Sequence, residues 1–352
     1  MNFPCAWHCQ SVRFPIVPRS PGPLVPVPPS PVPLSISIPA PCQLIVRPAG
    51  ELTRVLREGQ DVVLEVPMPW LAGPREEVIV RGSAAAVGDG FYFLPAADGL
   101  AGVAVAPAGM DPYTAARTLY AGVLARLGDQ HLYRVWNYVP RINEIVDGLE
   151  NYRAFNAGRH KAFIAAYGPE FARRLPAASA LGTPGGCLAL VFLAGPGPVQ
   201  YVENPEQIPA FQYPAEYGPT PPSFARGTVV SAPARPAWFL SGTASIKGHA
   251  SCGGGFAAQA GLTFDNVRLM FQRMALPPDP TGSWKIFLRH RQDLPAAQAA
   301  LSEAFPEAVP GAMFLEADIC RSSLLLEVEA TFHQLGFPTT LVPVESAPAL
   351  HS

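Results

Sequence analysis

Glu327 and Glu329 stand two residues apart in the otherwise apolar segment L-L-L-E-V-E-A-T-F (Leu324 to Phe332). They are the residues of this chain best placed to do chemistry. Alternate residues of a β-strand share a face, so Leu326, Val328 and Ala330 point one way and both carboxylates the other. A charged pair on such a strand is costly unless its face lines a wet or functional cleft. Burial and a neighbouring like charge raise a carboxyl pKa toward neutrality, which makes a general acid. Glu327 is the candidate donor and Glu329 its support. The bland alternative is a pair of interface charges.

Other reactive-looking residues carry less. Cys320 has no His–Asp pairing nearby in sequence, which speaks against a nucleophile. Cys252-Gly253-Gly254-Gly255 lacks the Lys-Ser/Thr of a phosphate loop and reads as a turn into a helix. His249 reads as a loop histidine.

The elements around the carboxylates suggest a fold written twice. Leu188-Ala189-Leu190-Val191 stands in an earlier segment where Leu326-Glu327-Val328-Glu329 stands later. Phe91–Leu94 is matched to Trp238–Leu240, and the helix Tyr113–Gly128 to Phe256–Met274. Leu132–Ile142 is matched to Ser283–Leu294, and Tyr152–Tyr167 to Leu294–Phe305. The first helix has apolar residues at 116, 119, 120, 123, 124 and 127, with Asp111 as N-cap and Pro112 after it. The later helix buries Ala260, Phe264, Val267, Phe271 and Met274. Strands at 43–47, 62–66, 77–81, 91–95 and 102–106 are expected to form one sheet before the first helix. Each copy is then an α+β layer, a mixed sheet with helices on one face. The other face is expected to pack on the other copy.

Composition bounds the partners. The chain has 352 residues, with 25 Lys+Arg against 27 Asp+Glu. No basic field is present for nucleic acid. No apolar run reaches the length of a membrane span, and Pro4, His8 and Arg13 interrupt any signal peptide, so the chain reads as cytoplasmic. The six cysteines lack CxxC pairs, against a structural zinc site or a disulfide framework. Prolines crowd the stretch from Pro15 to Pro41, which reads as a disordered leader over residues 1–43.

Two segments, F-L-S-G-T-A-S (Phe239 to Ser245) and L-E-V-E-A (Leu326 to Ala330), resemble the Rid-type (YjgF) imine deaminases. Those proteins are trimers with sites between subunits. Their carboxylate-binding arginine is missing here: the corresponding positions are Ala312 and Met313, and Ala178 in the first copy. The chorismatase family, two Rid-like halves in one chain, is the closer resemblance and covers roughly residues 90–335. It is carried by Y-R-V-W-N-Y-V-P-R-I-N (Tyr133 to Asn143), E-N-Y-R-A-F-N-A-G-R (Glu150 to Arg159), P-P-S-F-A-R (Pro221 to Arg226), S-G-T-A-S-I-K-G-H (Ser241 to His249) and Cys320 to Glu327.

That resemblance implies two tandem Rid/YjgF-like α+β domains forming a pseudo-oligomer. The first would span 44–198 and the second, carrying the acid, 199–340, with a tail at 341–352. It implies cleavage of chorismate to pyruvate and a cyclic acid by a monomer, with no cofactor and no metal. Glu327 would protonate the enol ether. Tyr152, Arg159, Tyr217 and Arg226 would hold the two substrate carboxylates. Ala244 and Cys320 would shape the pocket, and a cysteine there resembles the members that form hydroxybenzoate, 3- and in some cases also 4-hydroxybenzoate. Hydrolysis to a dihydroxycyclohexadiene carboxylate, a Rid-like imine or enamine hydrolase, and a non-catalytic metabolite-binding module remain the alternatives.

Overall fold

The computed structural model describes residues 36–37, 42–82, 86–96, 99–231, 236–277, 282–333 and 340–342. Nearly all of the expected leader, and all but two residues of the expected tail, lie outside the described residues.

After the short strand Ile36–Ser37 come β1 (Cys42–Pro48), β2 (Arg54–Glu58), β3 (Asp61–Val66), β4 (Trp70–Ala72) and β5 (Glu76–Gly82). The first copy follows as β6 (Phe91–Ala96), β7 (Gly99–Val105), α1 (Pro112–Leu124), β8 (His131–Pro140), α2 (Asn151–Tyr167), β9 (Ala177–Thr183) and β10 (Ala189–Gly195). After β11 (Val199–Val202) and a long loop comes the second copy. It runs β12 (Gly227–Val230), β13 (Ala237–Thr243), α3 (Phe256–Arg273), β14 (Gly282–Leu288), α4 (Leu294–Ala304), β15 (Ala312–Glu316), β16 (Asp318–Ile319) and β17 (Leu326–His333).

The duplication is explicit in the topology. The first sheet contains the order β6-β7-β10-β8-β9, and the second contains β12-β13-β17-β14-β15. In both, the strand that leads into a helix and the strand that follows it are parallel, and every other pairing is antiparallel. The α+β class and the two tandem Rid-like halves expected from the sequence are therefore present. One expected match shifts by a strand: Phe91–Leu94 lies in β6, whose counterpart is β12, whereas Trp238–Leu240 lies in β13, the counterpart of β7.

A larger correction concerns the N-terminal strands. They do not share a sheet with β6 and β7. Strands β5, β1, β3 and β2 form a separate sheet, to which Thr340–Val342 adds an edge. Three sheets, not two, face one apolar centre. Leu44, Leu64 and Ile79 come from the separate sheet, Trp136 and Val191 from the first copy, and Phe287 and Leu315 from the second. Alternating strands that are apolar on both faces made this third wall hard to assign from local pattern.

The outer faces carry helices. Asp111 caps α1, its carboxylate accepting from Thr114 N at 2.9 Å, with Pro112 at the first turn. Leu119, Tyr120, Val123 and Leu124 are buried as the spacing predicts. A Cβ on Gly158 would sit 2.1 Å from the carbonyl oxygen of Tyr113, so only glycine lets α2 lie this close to α1. Ala260, Phe264 and Val267 of α3, with Met274 at its C-cap, are buried against Leu326, Val328, Ala330 and Phe332 of β17.

Strands β9 and β15 escape sequence reading. The run A-A-S-A-L-G-T of β9 is poor in β-formers, and tertiary context overrides propensity. β9 is the seam between the copies. Its Ala177 N–H donates to Thr228 Oγ1 at 2.8 Å and its Ala178 N–H to Ser241 Oγ at 2.9 Å. Further along, β16 leaves the second copy and pairs with it through Leu181 and Gly182. Ser241 Oγ also donates to Ala225 O at 2.6 Å. Ser241→Ala strands a buried donor and a buried acceptor at this seam. It is expected to lower unfolding free energy by about 1–3 kcal/mol in denaturant titration.

Candidate active site

The strand β17 presents its carboxylates inward, toward the first copy. The two have opposite surroundings. Glu329 is buried and surrounded by donors. It accepts from Arg134 Nη2 at 2.6 Å, from Trp136 Nε1 at 2.8 Å and from Ser179 Oγ. Lys285 Nζ lies 2.7 Å from it, and the same ammonium lies 2.6 Å from Glu77. Burial opposes ionisation of Glu329, but Lys285 and Arg134 outweigh it and hold its carboxyl below the usual range. Lys285 is likewise raised, burial notwithstanding, by Glu329 and Glu77.

Glu327 is only 3 % exposed, and its Oε1 has no hydrogen-bond partner among the described residues. Burial first, and the negative charge of Glu329 second, push its pKa up to about 8 against the pull of Arg134 and Arg226. It is therefore a protonated acid at neutral pH, two residues from an ionised one. Such divergence is how one site separates an acid from an electrostatic partner. Gly242 makes room for it: a Cβ there would lie 2.0 Å from Glu327 Oε1. The register shift between β13 and β17 falls at this point, between Leu240 and Thr243.

Glu327 opens onto a cavity of about 280 Å³. Six of the seven residues singled out in the sequence line it: Glu327, Tyr152, Tyr217, Arg226, Ala244 and Cys320. Arg226 is 6 % exposed, donates from Nη2 to Tyr213 OH at 2.5 Å, and keeps Nε without a partner among the described residues. Tyr217 OH lies 3.2 Å from His249 Nδ1, which places that loop histidine at the rim. Cys320 has its thiol pushed up to about 12, by burial and then by Glu327, so it is no thiolate nucleophile.

Arg159 departs from the expectation. It does not line the cavity. It is buried on α2, donating to Asn156 Oδ1 at 2.7 Å, with Phe155 and Phe224 against its guanidinium. Phe224 is itself on the cavity wall, so Arg159 stands one ring behind it.

Sequence reading missed three contributors. Arg321 lines the cavity next to Cys320, with its guanidinium 4.1 Å from the Tyr217 ring centroid and donating to His249 O at 2.8 Å. Glu150 and Arg153 line it on either side of Tyr152, paired to each other at 3.4 Å. The loop bearing Cys320 and Arg321 is clamped from beneath. Arg289 donates to the carbonyls of Leu324 (2.7 Å), Arg321 (3.0 Å) and Ile319 (3.1 Å), and Gln259 bonds Ser323 O and Leu325 N at 3.0 Å each. Among the described residues no three His, Cys, Asp or Glu side chains converge to hold a metal ion. No helix there is long and apolar enough to cross a membrane.

Comparison with known proteins agrees with this architecture. The family model described as chorismatase FkbO/Hyg5-like, N-terminal, matches residues 95–194. A 3-hydroxybenzoate synthase of Streptomyces hygroscopicus is 34 % identical over 283 residues, covering 74 % of this chain and 79 % of that protein. A chorismatase of Streptomyces rapamycinicus is 34 % identical over 258 residues, covering 68 % and 76 %. A crystal structure of a chorismatase superposes with a TM-score of 0.69 at 28 % identity, covering 83 % of this chain and 92 % of that one. With its duplicated sheets and this extent of similarity, the chain belongs to the chorismatase family of enzymes.

Proposed function

We propose that this enzyme cleaves chorismate to pyruvate and a hydroxybenzoate, with Glu327 as the proton donor. The observation that carries the reading is a buried carboxyl, Glu327, whose Oε1 has no hydrogen-bond partner among the described residues, on the wall of a cavity whose charges suit a dianion. Among the described residues, Arg153, Arg226 and Arg321 face Glu150 as the other charged groups on that wall. With Glu327 neutral, two positive charges remain, which is what a dicarboxylate needs.

In this reading Arg226, with its free Nε, and Arg321 take the substrate carboxylates, and Tyr152 and Tyr217 add hydroxyl donors. Arg159 supports the wall through Phe224. The Glu327 proton goes to the methylene carbon of the enol ether, whose π electrons form the new C–H bond. The O–H electrons stay on Glu327, and the nascent carboxylate faces the oxocarbenium ion it has created. The ring C–O bond then breaks, its electrons completing the keto carbonyl of pyruvate. The adjacent ring hydroxyl closes onto the vacated carbon, its proton returning to Glu327, and reopening of that ring oxide with a hydrogen shift gives 3-hydroxybenzoate with no net uptake of water. Hydrolysis to a dihydroxycyclohexadiene carboxylate would consume one water. Cys320, as a neutral thiol beside Ala244, fills the space such a water would use, and this favours the benzoate. Both walls of the cavity come from one chain, so a monomer suffices.

Chorismate incubated with the purified protein is expected to yield pyruvate and 3-hydroxybenzoate, resolved by chromatography; absence of pyruvate would falsify the reading. Glu327→Gln keeps shape but cannot release the proton, and is expected to lose about 10²–10⁴-fold in kcat while still binding substrate. Arg226→Ala is expected to raise KM roughly ten- to hundredfold. Cys320→Ala should still release pyruvate but alter the product mixture.

The acid also predicts pH behaviour. Activity requires the protonated form, so kcat/KM should fall as pH rises through about 8. Stability follows the same group. The native state holds this proton above the ordinary carboxyl range, where the unfolded chain releases it. Glu327 therefore destabilises the fold increasingly as pH rises from the unfolded value toward about 8, and by a constant amount above it. Thermal melts across that window should show a shallower decline for Glu327→Gln than for the parent; parallel curves would contradict a buried neutral Glu327.

A further inference from the structure

Behind the cavity runs a chain of four buried charges that crosses all three sheets. Glu77 is on β5, in the sheet that adds nothing to the cavity wall. Lys285 is on β14, Glu329 on β17 and Arg134 on β8. The successive contacts are 2.6, 2.7 and 2.6 Å, and all four side chains are at most 6 % exposed. Two cations and two anions balance. Glu327 is the fifth ionisable group of the cluster, and it is odd in number as well as in position. If Glu77 carried no charge, Lys285 and Arg134 would face Glu329 alone. Glu327, whose charge would also act on Arg134, is a carboxyl able to supply the missing negative charge.

Resting on the reaction proposed above, we infer that Glu77 is a positioning residue for catalysis: by occupying one side of Lys285, it keeps the cluster neutral without Glu327 and so keeps the acid protonated. Glu77 touches neither the cavity nor the acid. It acts through Lys285 and Glu329. Charge balance in a low-dielectric interior makes such remote control effective, because an uncompensated buried charge is costly and the system relieves it by moving a proton.

Every charged neighbour of Glu327 enters this balance. Glu329 lies on its own strand. Arg134 faces it from β8, and Arg226 and Cys320 from the two loops. Arg226 in turn lies against Glu203, a buried carboxyl. Further round the cavity stand Arg321 and the Glu150–Arg153 pair, with Tyr152, Tyr213 and Tyr217. Tyr138 approaches Lys285 from the first copy and is held neutral, chiefly by burial. None of these groups changes in the variants below, so a shift reports the Glu77–Lys285 pair.

The test uses charge reversal of the imbalance. Glu77→Gln preserves size and can still accept from Lys285. It is expected to move the alkaline limb of the kcat/KM profile down by about one to three pH units. At pH 7.5 that is a loss of roughly three- to two-hundredfold, recovered progressively as the pH is lowered below the shifted limb, with KM unchanged. Lys285→Met imposes the opposite imbalance and should not move the limb down. The double variant Glu77→Gln/Lys285→Met removes one charge of each sign and should return the limb to the parent position.

A second readout needs no turnover. The infrared C=O band of protonated Glu327, assigned by its loss in Glu327→Gln, is titrated in the ligand-free full-length protein. It should disappear at lower pH in Glu77→Gln and return in the double variant. A band that titrates alike in parent and Glu77→Gln overturns the inference, as does activity lost equally at all pH values. So does a double variant as shifted as the single one. If the band behaves as stated but chorismate is not cleaved, the charge coupling stands and the proposed reaction falls. If chorismate is cleaved and the band ignores Glu77, the converse holds.

Discussion

The buried alternation of Glu77, Lys285, Glu329 and Arg134 is the constraint on which the rest of this structure depends. It is the polar axis of an otherwise apolar centre, and each sheet contributes to it. Buried ion pairs are weak sources of stability but strong sources of specificity when every partner is present. Here the partners come from residues up to 252 positions apart in sequence, Glu77 to Glu329. The sheets can meet in one register only if these charges meet too. That register also places Glu327 at the cavity with no cation of its own.

Duplication explains why such an arrangement is available. Two sheets of the same order present equivalent inner faces, and Ala189 and Val191 occupy in the first copy the inward positions that Glu327 and Glu329 hold in the second. The first copy instead contributes Arg134, Trp136 and Ser179, the donors that Glu329 requires. One copy supplies the acid and its neighbour; the other neutralises that neighbour. Neither inner face would be tolerable alone.

Much of this was legible in the sequence where a local pattern met a chemical anomaly. Two glutamates in an apolar strand announced the site, and the motifs around Tyr152, Arg226 and Cys320 announced its walls. The helices α1 and α3 followed from periodicity and, for α1, from its cap. What stayed hidden was non-local. The N-terminal strands read as part of the first sheet because pairing is decided by tertiary contacts, not by their own residues. β9 was invisible because its alanines favour no strand. Lys285 in S-W-K-I-F-L and Arg134 in Y-R-V-W carried the same signal as the glutamates, a lone charge in a buried strand, and could have been paired with them on that ground. Arg159 has every local mark of a cavity residue, yet the turn of α2 sets it behind Phe224. Arg321 gave no signal beyond adjacency to Cys320.

The loop that carries Cys320 and Arg321 is anchored like a plank on two supports. One end, β16, is hydrogen-bonded to the first copy through β9, and the other runs into β17 of the second. Arg289 and Gln259 fasten it from below through the backbone of Ile319, Arg321, Ser323, Leu324 and Leu325, and Arg289 grips one side chain at its end, Asp318, at 2.6 Å. Its residues can therefore vary without moving the frame, while the acid sits on a separate and rigid strand. On the proposed reaction, such a division separates the means of starting it from the means of choosing its end. On that proposed reaction, a lineage could diversify its products by drift in a handful of loop positions, leaving the proposed proton donor and its charge cluster untouched.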